Sequence, residues 1–352
     1  MSALLCEGLS YPYEWIRDQF DRNSAELPPY TRQTLTFCQR WLRGEQTFTI
    51  QTSGSTGKPK PITLHRSQMI ASAHLTGQAV GLRRGDRALV CLNSAYIAGI
   101  MMLVRGFELG LEMVIVEPSS HPLQGFEVGA FAFTAIVPLQ LQGALAVSAE
   151  RDTLNAMRAV LVGGAPISHG LAAQLQTLNA TIYHTYGMTE TVSHVALRRL
   201  NGEGASDFFI PQPTIDLWLD QRGCLSICGS VTRGETIATN DRVAFQADGS
   251  FRWLGRIDNV INSGGVKVQA EKVERALEKQ LPDVRLFVTG TPDSVLGEAV
   301  TAFVESTPQP VDVALGLTRY EQPRQVHFLR QFMETPTGKV DRMATVALLA
   351  VV

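Results

Sequence analysis

A loop rich in glycine, hydroxyl and lysine side chains is the strongest chemical signal in the sequence. It reads TSGSTGKPK over residues 52–60 and directly follows the strand-like run FTIQ, residues 48–51. Glycines let the backbone approach an anion closely, while loop N–H groups, hydroxyls and lysines supply hydrogen bonds and positive charge. A flexible Gly/Ser linker is the alternative, but two lysines directly after a strand are not typical of one. We therefore expect the loop to bind phosphate.

This loop does not match the Walker A motif. That motif requires G-x-x-x-x-G-K-[ST], whereas Thr52 stands where its first glycine belongs and Pro59 follows Lys58. No G-x-G-x-x-G follows a strand-like run, so a Rossmann dinucleotide site has no support either. The pattern disfavours both a P-loop NTPase and a Rossmann dehydrogenase.

A second group of reactive side chains follows the strand-like run of residues 181–186. Tyr186 begins the segment YGMTET, in which Thr189 and Glu190 supply a hydroxyl and a carboxylate. An aromatic ring at the end of a strand suits a nucleotide crevice, where Tyr186 could stack on a base. Glu190 could ligate Mg²⁺, a cation that prefers oxygen ligands. Taken alone, a Tyr-Gly turn is equally common without such a role.

Two further segments place polar groups in the C-terminal half. Asp241, in Thr239-Asn240-Asp241, could accept hydrogen bonds from ribose hydroxyls, and TPTGK at residues 335–339 is a turn that presents Lys339. GRID at residues 255–258 and SGG at residues 263–265 lie between them. Each segment alone is also explained as an ordinary turn or cap, so their meaning depends on the combination.

The elements that must position these residues alternate between helix and strand. Helical patterns cover residues 13–23, 30–44, 66–80, 95–109 and 169–178, and strand-like runs cover 48–51, 87–92, 113–117, 159–164 and 181–186. Short β-branched runs that alternate with helices predict an α/β architecture with a largely parallel sheet.

After about residue 210 the predicted secondary structure changes to short strands and turns. Two hairpins are predicted, one turning at Gln221-Arg222-Gly223 and one at Asp248-Gly249. A strand, a helix, two more strands and a helical tail follow residue 255. We place a domain boundary near Asp258. Residues 1–257 then form a large N-terminal domain of sheets flanked by helices, and residues 258–352 form a small α+β C-terminal domain joined to it by a hinge.

Composition narrows the class of protein. With 352 residues, about two domains are expected. A net charge of −2 argues against blanket attraction to nucleic acid or anionic lipid. No signal peptide is visible, and the longest apolar runs are shorter than the roughly 18 residues that a membrane span needs. Five scattered cysteines favour reduced thiols rather than disulfides or zinc. A cytoplasmic location is predicted, and a homodimer is the working hypothesis.

In combination and in this order, the four segments resemble the adenylate-forming superfamily of acyl- and aryl-CoA ligases, firefly luciferase and peptide-synthetase adenylation domains. The resemblance covers residues 48 to about 341. It implies that a carboxylate attacks the α-phosphate of Mg·ATP to give acyl-AMP and pyrophosphate. A thiol, usually coenzyme A, then displaces AMP. The implied cofactors are therefore ATP and Mg²⁺, with coenzyme A as co-substrate.

The resemblance also implies roles for individual residues. Thr52, Ser53, Gly54, Ser55, Thr56, Gly57 and Lys58 look like the phosphate loop; Gly163, Gly164, Ala165 and Pro166 look like the adenine and acyl pocket wall, with Tyr186 and Gly187 against adenine. Thr189 matches the phosphate-contacting threonine and Glu190 the magnesium ligand. Asp241 and Arg256 match the ribose-binding pair, and Asp258 the hinge. Gly264 and Gly265 match the loop that enters the site for thioester formation. Lys339 matches the catalytic lysine of the first step.

The position of Lys339 gives the domain layout a purpose. Closure of the small domain would bring Lys339 to the phosphates, and rotation about Asp258 would withdraw it for the second step. Two departures from the family pattern stand out. Asn240 replaces the usual glycine, and asparagine tolerates left-handed backbone, so function should be kept. The chain is also short before Thr52, which indicates a compact form with a shortened N-terminal region.

The acid is predicted to be aromatic. The short chain, the segment YGMTETVSH and the helix IAGIMMLVRG look most similar to the o-succinylbenzoate–CoA ligases of menaquinone biosynthesis. A substrate with a ring and two carboxylates needs an apolar slot and a polar anchor, and the candidates are Tyr96, Arg105, Ser193 and His194. Another aryl or acyl acid, or a stand-alone enzyme that loads a carrier protein, stays open. A non-catalytic nucleotide-binding relative should have lost Glu190, Asp241 or Lys339, and none is lost.

Overall fold

The computed structural model describes residues 3–51, 60–282, 284–314, 316–335 and 340–351. Its helices are α1 (Tyr13–Asp18), α2 (Phe20–Asn23), α3 (Pro29–Leu42), α4 (Arg66–Val80), α5 (Ile97–Leu109), α6 (Pro138–Ala146), α7 (Ser148–Asn155), α8 (His169–Leu175), α9 (Ala270–Glu278) and α10 (Arg342–Ala347). Its strands are β1 (Ala3–Cys6), β2 (Leu9–Pro12), β3 (Thr47–Gln51), β4 (Pro61–His65), β5 (Arg87–Val90), β6 (Glu112–Ile115), β7 (Phe133–Ile136), β8 (Ala159–Val162), β9 (Thr181–Gly187), β10 (His194–Arg199), β11 (Ile210–Pro211), β12 (Ile215–Leu219), β13 (Leu225–Gly229), β14 (Ile237–Ala238), β15 (Asp241–Phe245), β16 (Phe251–Arg256), β17 (Val260–Ser263), β18 (Val266–Gln269), β19 (Leu286–Asp293), β20 (Gly297–Glu305) and β21 (Gln325–Leu329).

The largest sheet organises the N-terminal two thirds of the chain. Its order is β11-β10-β9-β8-β7-β5-β6-β1-β2. The pairs from β9 through β8, β7, β5 and β6 to β1 are parallel, and β2, β10 and β11 add antiparallel edges. The predicted α/β architecture with a largely parallel sheet is therefore confirmed.

Helices bury both faces of this sheet. In β5, Ala88 and Val90 point into an apolar cluster that α3, α4 and α5 complete, while Leu89 points into a second cluster with α6, α7 and α8. Successive strand residues face opposite sides, so a strand buried on both faces must be apolar throughout. Each fully buried Leu or Val contributes about 1.5–3 kcal/mol, which explains the near-continuous apolar runs of the parallel strands.

The N-terminal region departs from the prediction. One helix over residues 13–23 was wrong, because Gln19 leaves helical geometry at φ −119° and separates α1 from α2. The hairpin β1–β2 was not predicted. Its strands have four residues each, too few for clear alternation, and its turn residues Glu7 and Gly8 have φ of 50° and 77°. Those angles suit the tight turn that joins twisted antiparallel strands.

Two predicted hairpins form the region between the large sheet and the small domain. Strand β12 pairs with β13, and β15 pairs with β16. An apolar cluster that includes Val195, Phe209, Leu225 and Phe251 joins these hairpins to β10. Asp241 and Arg256 face each other across the second hairpin, because they are direct partners in its register.

The C-terminal part builds a separate sheet. Its order is β18-β17-β20-β19, with β21 added parallel to β20. Helix α9 covers one face through Val273 and Leu277. The apolar clusters before residue 252 and after residue 260 share no members, and the turn Ile257–Asn259 lies between them. This division agrees with a domain boundary near Asp258, which stays a prediction.

The longest apolar run of the sequence lies largely in α5. This helix has thirteen residues, and Gly99 to Gly106 are buried in the core. Within the described ranges, no helix is long and apolar enough to cross a membrane. The apolar character of α5 is thus explained by packing between α4 and the sheet.

Gly99 gives a test of this packing. A Cβ there would lie 2.4 Å from the carbonyl oxygen of Asn93, and backbone of this kind cannot move aside cheaply. Gly99→Ala should therefore lower the free energy of unfolding by about 1–3 kcal/mol, measured by urea titration. Ala98→Ser, on the exposed side of the same turn, should change it by less than about 0.5 kcal/mol. Equal effects of the two substitutions would contradict the packing argument.

Candidate active site

The carboxyl edge of the large sheet gathers segments that are far apart in sequence. Strands β5, β8 and β9 belong to one parallel set, so the segments that follow them leave at the same edge. Those segments carry Tyr96, Gly163 to Pro166, and Thr189 with Glu190. The chain order reverses beside β5, which has β6 on one side and β7 on the other. Ligands of open α/β sheets bind at such switch points.

Tyr186 and Asp241 form the best-defined polar contact at this edge. The Tyr186 hydroxyl donates to Oδ2 of Asp241 at 2.6 Å, and Trp253 Nε1 donates to Oδ1 at 3.2 Å. Burial and the adjacent Asp241 raise the pKa of Tyr186, so the phenol stays a donor. A carboxylate has about four acceptor positions. Asp241 therefore keeps acceptor capacity for two further hydroxyls while its orientation is fixed.

Arg256 connects Asp241 to the predicted hinge. Its Nε and Nη2 donate to both oxygens of Asp258, at 2.8 and 2.7 Å, while Nη1 lies 3.8 Å from Oδ1 of Asp241. Hydrogen bonding to Asp258 raises the pKa of Arg256. Partial burial opposes ionisation of Asp258, but the bonds from Arg256 and Asn240 outweigh it and lower the pKa of Asp258. The guanidinium is thus shared unequally between the two carboxylates.

The peptide group of Arg256 is held as well. Glu271 Oε1 accepts from the Arg256 N–H at 3.2 Å, and Gln269 Nε2 donates to the Arg256 carbonyl at 2.9 Å. A Cβ on Gly255 would lie 2.4 Å from the Glu271 carboxylate. The φ of Gly255 is 145°, which side-chain-bearing residues rarely adopt. Only glycine fits between β16 and the start of α9.

Asn240 has a different role from the one predicted. Its φ is not positive, so left-handed tolerance is not what asparagine provides here. Its Nδ2 donates to Asp258 at 3.2 Å and its Oδ1 accepts from Arg222 at 3.1 Å. The asparagine therefore braces the Asp258 carboxylate, which the usual glycine of this position could not do.

Thr189 and Glu190 lie in a one-turn 3₁₀ segment, Thr189–Thr191, directly after β9. Thr189 is half-buried and Glu190 is exposed. The chain then reverses at buried Val192, which has φ 66° and ψ −53°, while the Ser193 N–H donates to the Thr191 carbonyl at 2.7 Å. This is the rare γ-turn with positive φ. Such backbone costs about 1–3 kcal/mol and persists only where its surroundings impose it.

The segment after β8 contacts β9 closely. A Cβ on Gly163 would lie 2.2 Å from Oγ1 of Thr185, and Gly164 has φ 86°. His184 was missed by the sequence reading. Its Nδ1 accepts from Arg198 at 3.1 Å, which leaves Nε2 as the donor to the Ala165 carbonyl at 3.3 Å. The sequence does contain a signal for His184, because it stands two residues before Tyr186 and therefore on the same face of β9.

The predicted phosphate loop, Thr52 to Lys58, and Lys339 lie outside the described residues. The strands that flank the loop are described, and Gln51 pairs with Pro61 at its base. Strand β4 lies beside the turn that carries Thr189 and Glu190. The hairpin β3–β4 thus lies next to this turn at the carboxyl edge of the large sheet.

Three of the four predicted acid-pocket residues come together. Arg105 Nη2 donates to Ser193 Oγ at 2.9 Å, and Ser193 Oγ lies 3.4 Å from Nδ1 of His194. Tyr96 stands just before α5, nine residues from Arg105, so about 13 Å of helix axis separates them. Tyr96 therefore belongs to another part of the edge.

Gly264 and Gly265 form the turn between β17 and β18. Their φ angles are 60° and 83°, which fits a two-residue hairpin turn that requires positive φ at both positions. The Gly264 N–H donates to the Leu296 carbonyl at 2.9 Å. A Cβ on Gly265 would meet nothing within 4 Å, so this turn presents backbone without bulk.

Comparison with known proteins gives consistent results. The family model described as AMP-binding enzyme matches residues 16–221. A 2-succinylbenzoate–CoA ligase of Enterococcus faecalis is 24% identical over 83% of this chain and 67% of its own length. An AMP-forming acyl-CoA synthetase/AMP-acid ligase II-like protein of Dyadobacter fermentans is 43% identical, over 91% of this chain and 95% of its own, with a TM-score of 0.63. The o-succinylbenzoate coenzyme A synthetase of Bacillus subtilis, solved with ATP and magnesium ion, shares the fold at 21% identity, over 85% of this chain and 69% of its own, with a TM-score of 0.68.

His184 predicts a pH dependence of stability. Burial and the charge of Arg198 lower its pKa to about 4, against about 6.5 when unfolded. Between these values the unfolded chain binds the extra proton, so stability is full above about pH 6.5 and falls as the pH drops toward 4. His184→Gln should reduce the slope of unfolding free energy against pH between 5 and 6, by up to about 1.4 kcal/mol per pH unit.

His74→Gln provides the control for this pH experiment. His74 is exposed on α4, so its replacement should leave the slope unchanged. An unchanged slope in His184→Gln as well would show that His184 is not held neutral in the folded protein.

Proposed function

Because the chain belongs to the AMP-binding enzyme family, whose model covers more than half of it, and is an AMP-forming acid–CoA ligase, we propose that its acid is o-succinylbenzoate. The observation that carries the nucleotide half of this proposal is the Tyr186–Asp241–Arg256 arrangement at the carboxyl edge of the sheet. The name of the Enterococcus relative supports the choice of acid.

We assign AMP to the surface between the segment after β8 and Tyr186. The Gly164, Ala165 and Pro166 backbone would lie against one side of adenine and the Tyr186 ring against another, with Gly187 next to it at the end of β9. Asp241 would accept from the ribose hydroxyls with the acceptor positions that Tyr186 and Trp253 leave open. Arg256 would donate from Nη1, since Nε and Nη2 each already donate to Asp258.

The phosphates would lie between the Thr52–Lys58 loop and the Thr189–Glu190 turn. Loop N–H groups, hydroxyls and Lys58 would bind the β- and γ-phosphates, and Thr189 would contact the α-phosphate. Within the described ranges no cluster of three or more His, Cys, Asp or Glu side chains could cage a metal ion. Glu190, exposed and single, fits Mg²⁺, which is commonly held by one carboxylate plus substrate phosphates. Bound there, Mg²⁺ would offset the charge of the triphosphate.

The reaction then proceeds in two displacements. The acid carboxylate attacks the α-phosphorus and pyrophosphate leaves, which gives the mixed anhydride acyl-AMP. The anhydride carries a good leaving group, AMP, that the free carboxylate lacks. Lys339 would stabilise the transferring phosphate and the attacking carboxylate. The coenzyme A thiolate next attacks the acyl carbonyl and AMP leaves. Gly264 and Gly265 would line the thiol's approach after the small domain turns about Asp258.

The acid would lie between Tyr96 and Ser193 at the carboxyl edge. Arg105 is 2% exposed and His194 is 5% exposed, so both lie behind Ser193, which keeps accessible surface. Tyr96 would contribute aromatic surface for the ring, and Ser193 would contribute a polar surface backed by the charge of Arg105. An apolar slot with a polar anchor suits an aromatic dicarboxylate.

An acid panel tests this proposal. Purified protein with Mg·ATP should catalyse ATP–pyrophosphate exchange that depends on o-succinylbenzoate, and thioester formation with coenzyme A should be visible by mass. Benzoate, hexanoate and an analogue without the succinyl carboxylate should be at least about tenfold less efficient, the worth of about 1.4 kcal/mol of lost binding.

The other outcomes of the panel discriminate the alternatives. Preference for another acid would replace o-succinylbenzoate and keep the ligase. Exchange without transfer to coenzyme A, but with transfer to a phosphopantetheinyl carrier protein, would identify a loading enzyme. Absence of exchange with every acid would overturn the catalytic assignment.

Lys339→Ala separates the two steps. Loss of a charge that acts only in adenylation should lower exchange by about 10²–10³-fold, as removal of an oxyanion-stabilising group does. Conversion of supplied acyl-AMP with coenzyme A should change by less than about threefold. Lys272→Ala, which removes a lysine paired with Glu321 at 2.6 Å on the small domain surface, should affect neither step. Equal losses in both steps would refute the role of Lys339.

A further inference from the structure

Arg105 is a buried cation without an acidic partner. It is 2% exposed, and among the described residues no Asp or Glu forms an ion pair with it. Its Nε donates to Thr76 Oγ1 at 3.1 Å, its Nη2 to Ser193 Oγ at 2.9 Å, and its Nη1 contacts Met102 Sδ at 3.7 Å. Burial of a charge among neutral groups is unfavourable. Such a residue therefore needs a reason beyond stability.

The hydrogen bonds of the surrounding network can each be given a direction. Thr76 Oγ1 donates to the Ser72 carbonyl at 2.9 Å, so it accepts from Arg105 and from His194 Nε2, the latter at 3.2 Å. His194 Nδ1 is then left to accept from Ser193, whose oxygen accepts from Arg105. Burial and the charge of Arg105 hold the pKa of His194 well below its usual range, which suits this neutral ring. Each polar side-chain atom of this network thus has at least one partner, and such connected bonds restrict how the side chains can rearrange.

This network adjoins the strained turn at Val192. Ser193 and His194 are the two residues that follow Val192, and Arg105 and Thr76 hold them from α5 and α4. On the other side, Thr191 Oγ1 accepts from the Met188 N–H at 3.1 Å. The positive φ of a β-branched residue is therefore imposed from both ends. Relaxation of Val192 to ordinary backbone would redirect the segment that begins at Thr189.

We propose that Arg105 is a positioning residue that, through Thr76, Ser193 and His194, holds the Val192 turn and so fixes Thr189 and Glu190 toward the phosphates. This inference rests on the proposed roles of Thr189 and Glu190 with Mg·ATP. It separates two halves of the nucleotide site. The phosphate half depends on Arg105, while the half formed by Tyr186 and Asp241 does not.

The test measures both halves in Arg105→Gln. The Mg²⁺ concentration for half-maximal ATP–pyrophosphate exchange, at saturating acid, should rise about tenfold, the lower range for loss of a group that orients a metal ligand. The Kd of AMP, measured by calorimetry without Mg²⁺ or acid, should stay within about twofold. Arg66→Gln is the matched control. Arg66 lies on the same helix as Thr76, and its substitution removes contacts with Trp41 and Glu108. Both readouts should stay at wild-type values in this variant.

Val192→Gly supplies a readout that a merely structural role would not move. Glycine adopts positive φ without strain, so the turn should then need less support. The effect of Arg105→Gln on the Mg²⁺ requirement should shrink to less than about threefold on the Val192→Gly background. An undiminished effect on that background would overturn the inference. So would a rise in the Kd of AMP in Arg105→Gln as large as the rise in its Mg²⁺ requirement.

A second pair keeps the test decisive if Arg105→Gln does not fold. Thr76→Val removes the hydroxyl that accepts from Arg105 and His194 at nearly constant volume, and should raise the Mg²⁺ requirement severalfold. Thr76→Ser keeps the hydroxyl and should restore the wild-type value. Wild-type Mg²⁺ dependence in Thr76→Val would sink the inference. Wild-type protein without exchange on any acid would instead remove the proposed function.

Discussion

Parallel alignment of the central strands is the constraint on which the site depends. Strands that run the same way must all release their chains at one edge, and the crossover helices must return on the faces. Side chains more than ninety positions apart, such as Tyr96 and Glu190, therefore share an edge. Both faces of the sheet are sealed by helices, so this edge is where the chain can combine irregular backbone with solvent access.

Two charged groups of the site, Asp241 and Arg105, are oriented by neutral donors and acceptors. A phenol and an indole hold the Asp241 carboxylate, and hydroxyls hold the Arg105 guanidinium. Neutral partners fix geometry while they leave the field of the charge intact. A ligand with many charges, such as a nucleoside triphosphate, can then interact with groups whose orientation is already fixed. This is the condition for effective electrostatic stabilisation.

The sequence predicted long elements better than short ones. Helix α4 was predicted at its observed bounds, residues 66–80. It begins after His65, whose N–H donates to the Gln68 side chain, and ends at Gly81 with φ 66°. Short strands such as β1, β17 and β21 were missed, since four or five residues give too little alternation and their pairing is decided by distant partners. The two hairpins around residues 223 and 249 were found because glycine marks their turns.

The site was predictable where chemistry follows from residue type and hidden where it follows from packing. Asp241 and Arg256 could be paired from their motifs, and the hairpin register places them opposite each other. The positive φ of Val192 could not be predicted from its residue type, because valine disfavours positive φ and the surrounding network imposes it. The interaction of Asn240 with Asp258 was equally hidden, since it depends on the approach of two turns.

Arg256 has a consequence for energetics as well as for recognition. One guanidinium contacts the carboxylate proposed for the ribose and the carboxylate proposed for the hinge. If the small domain turned about Asp258 as proposed, a change of domain orientation would alter the competition for this cation and hence the affinity for nucleotide. Thermodynamic reciprocity then requires that nucleotide occupancy bias the orientation by the same free energy. Nucleotide binding and domain orientation would then be coupled through the contacts of one guanidinium.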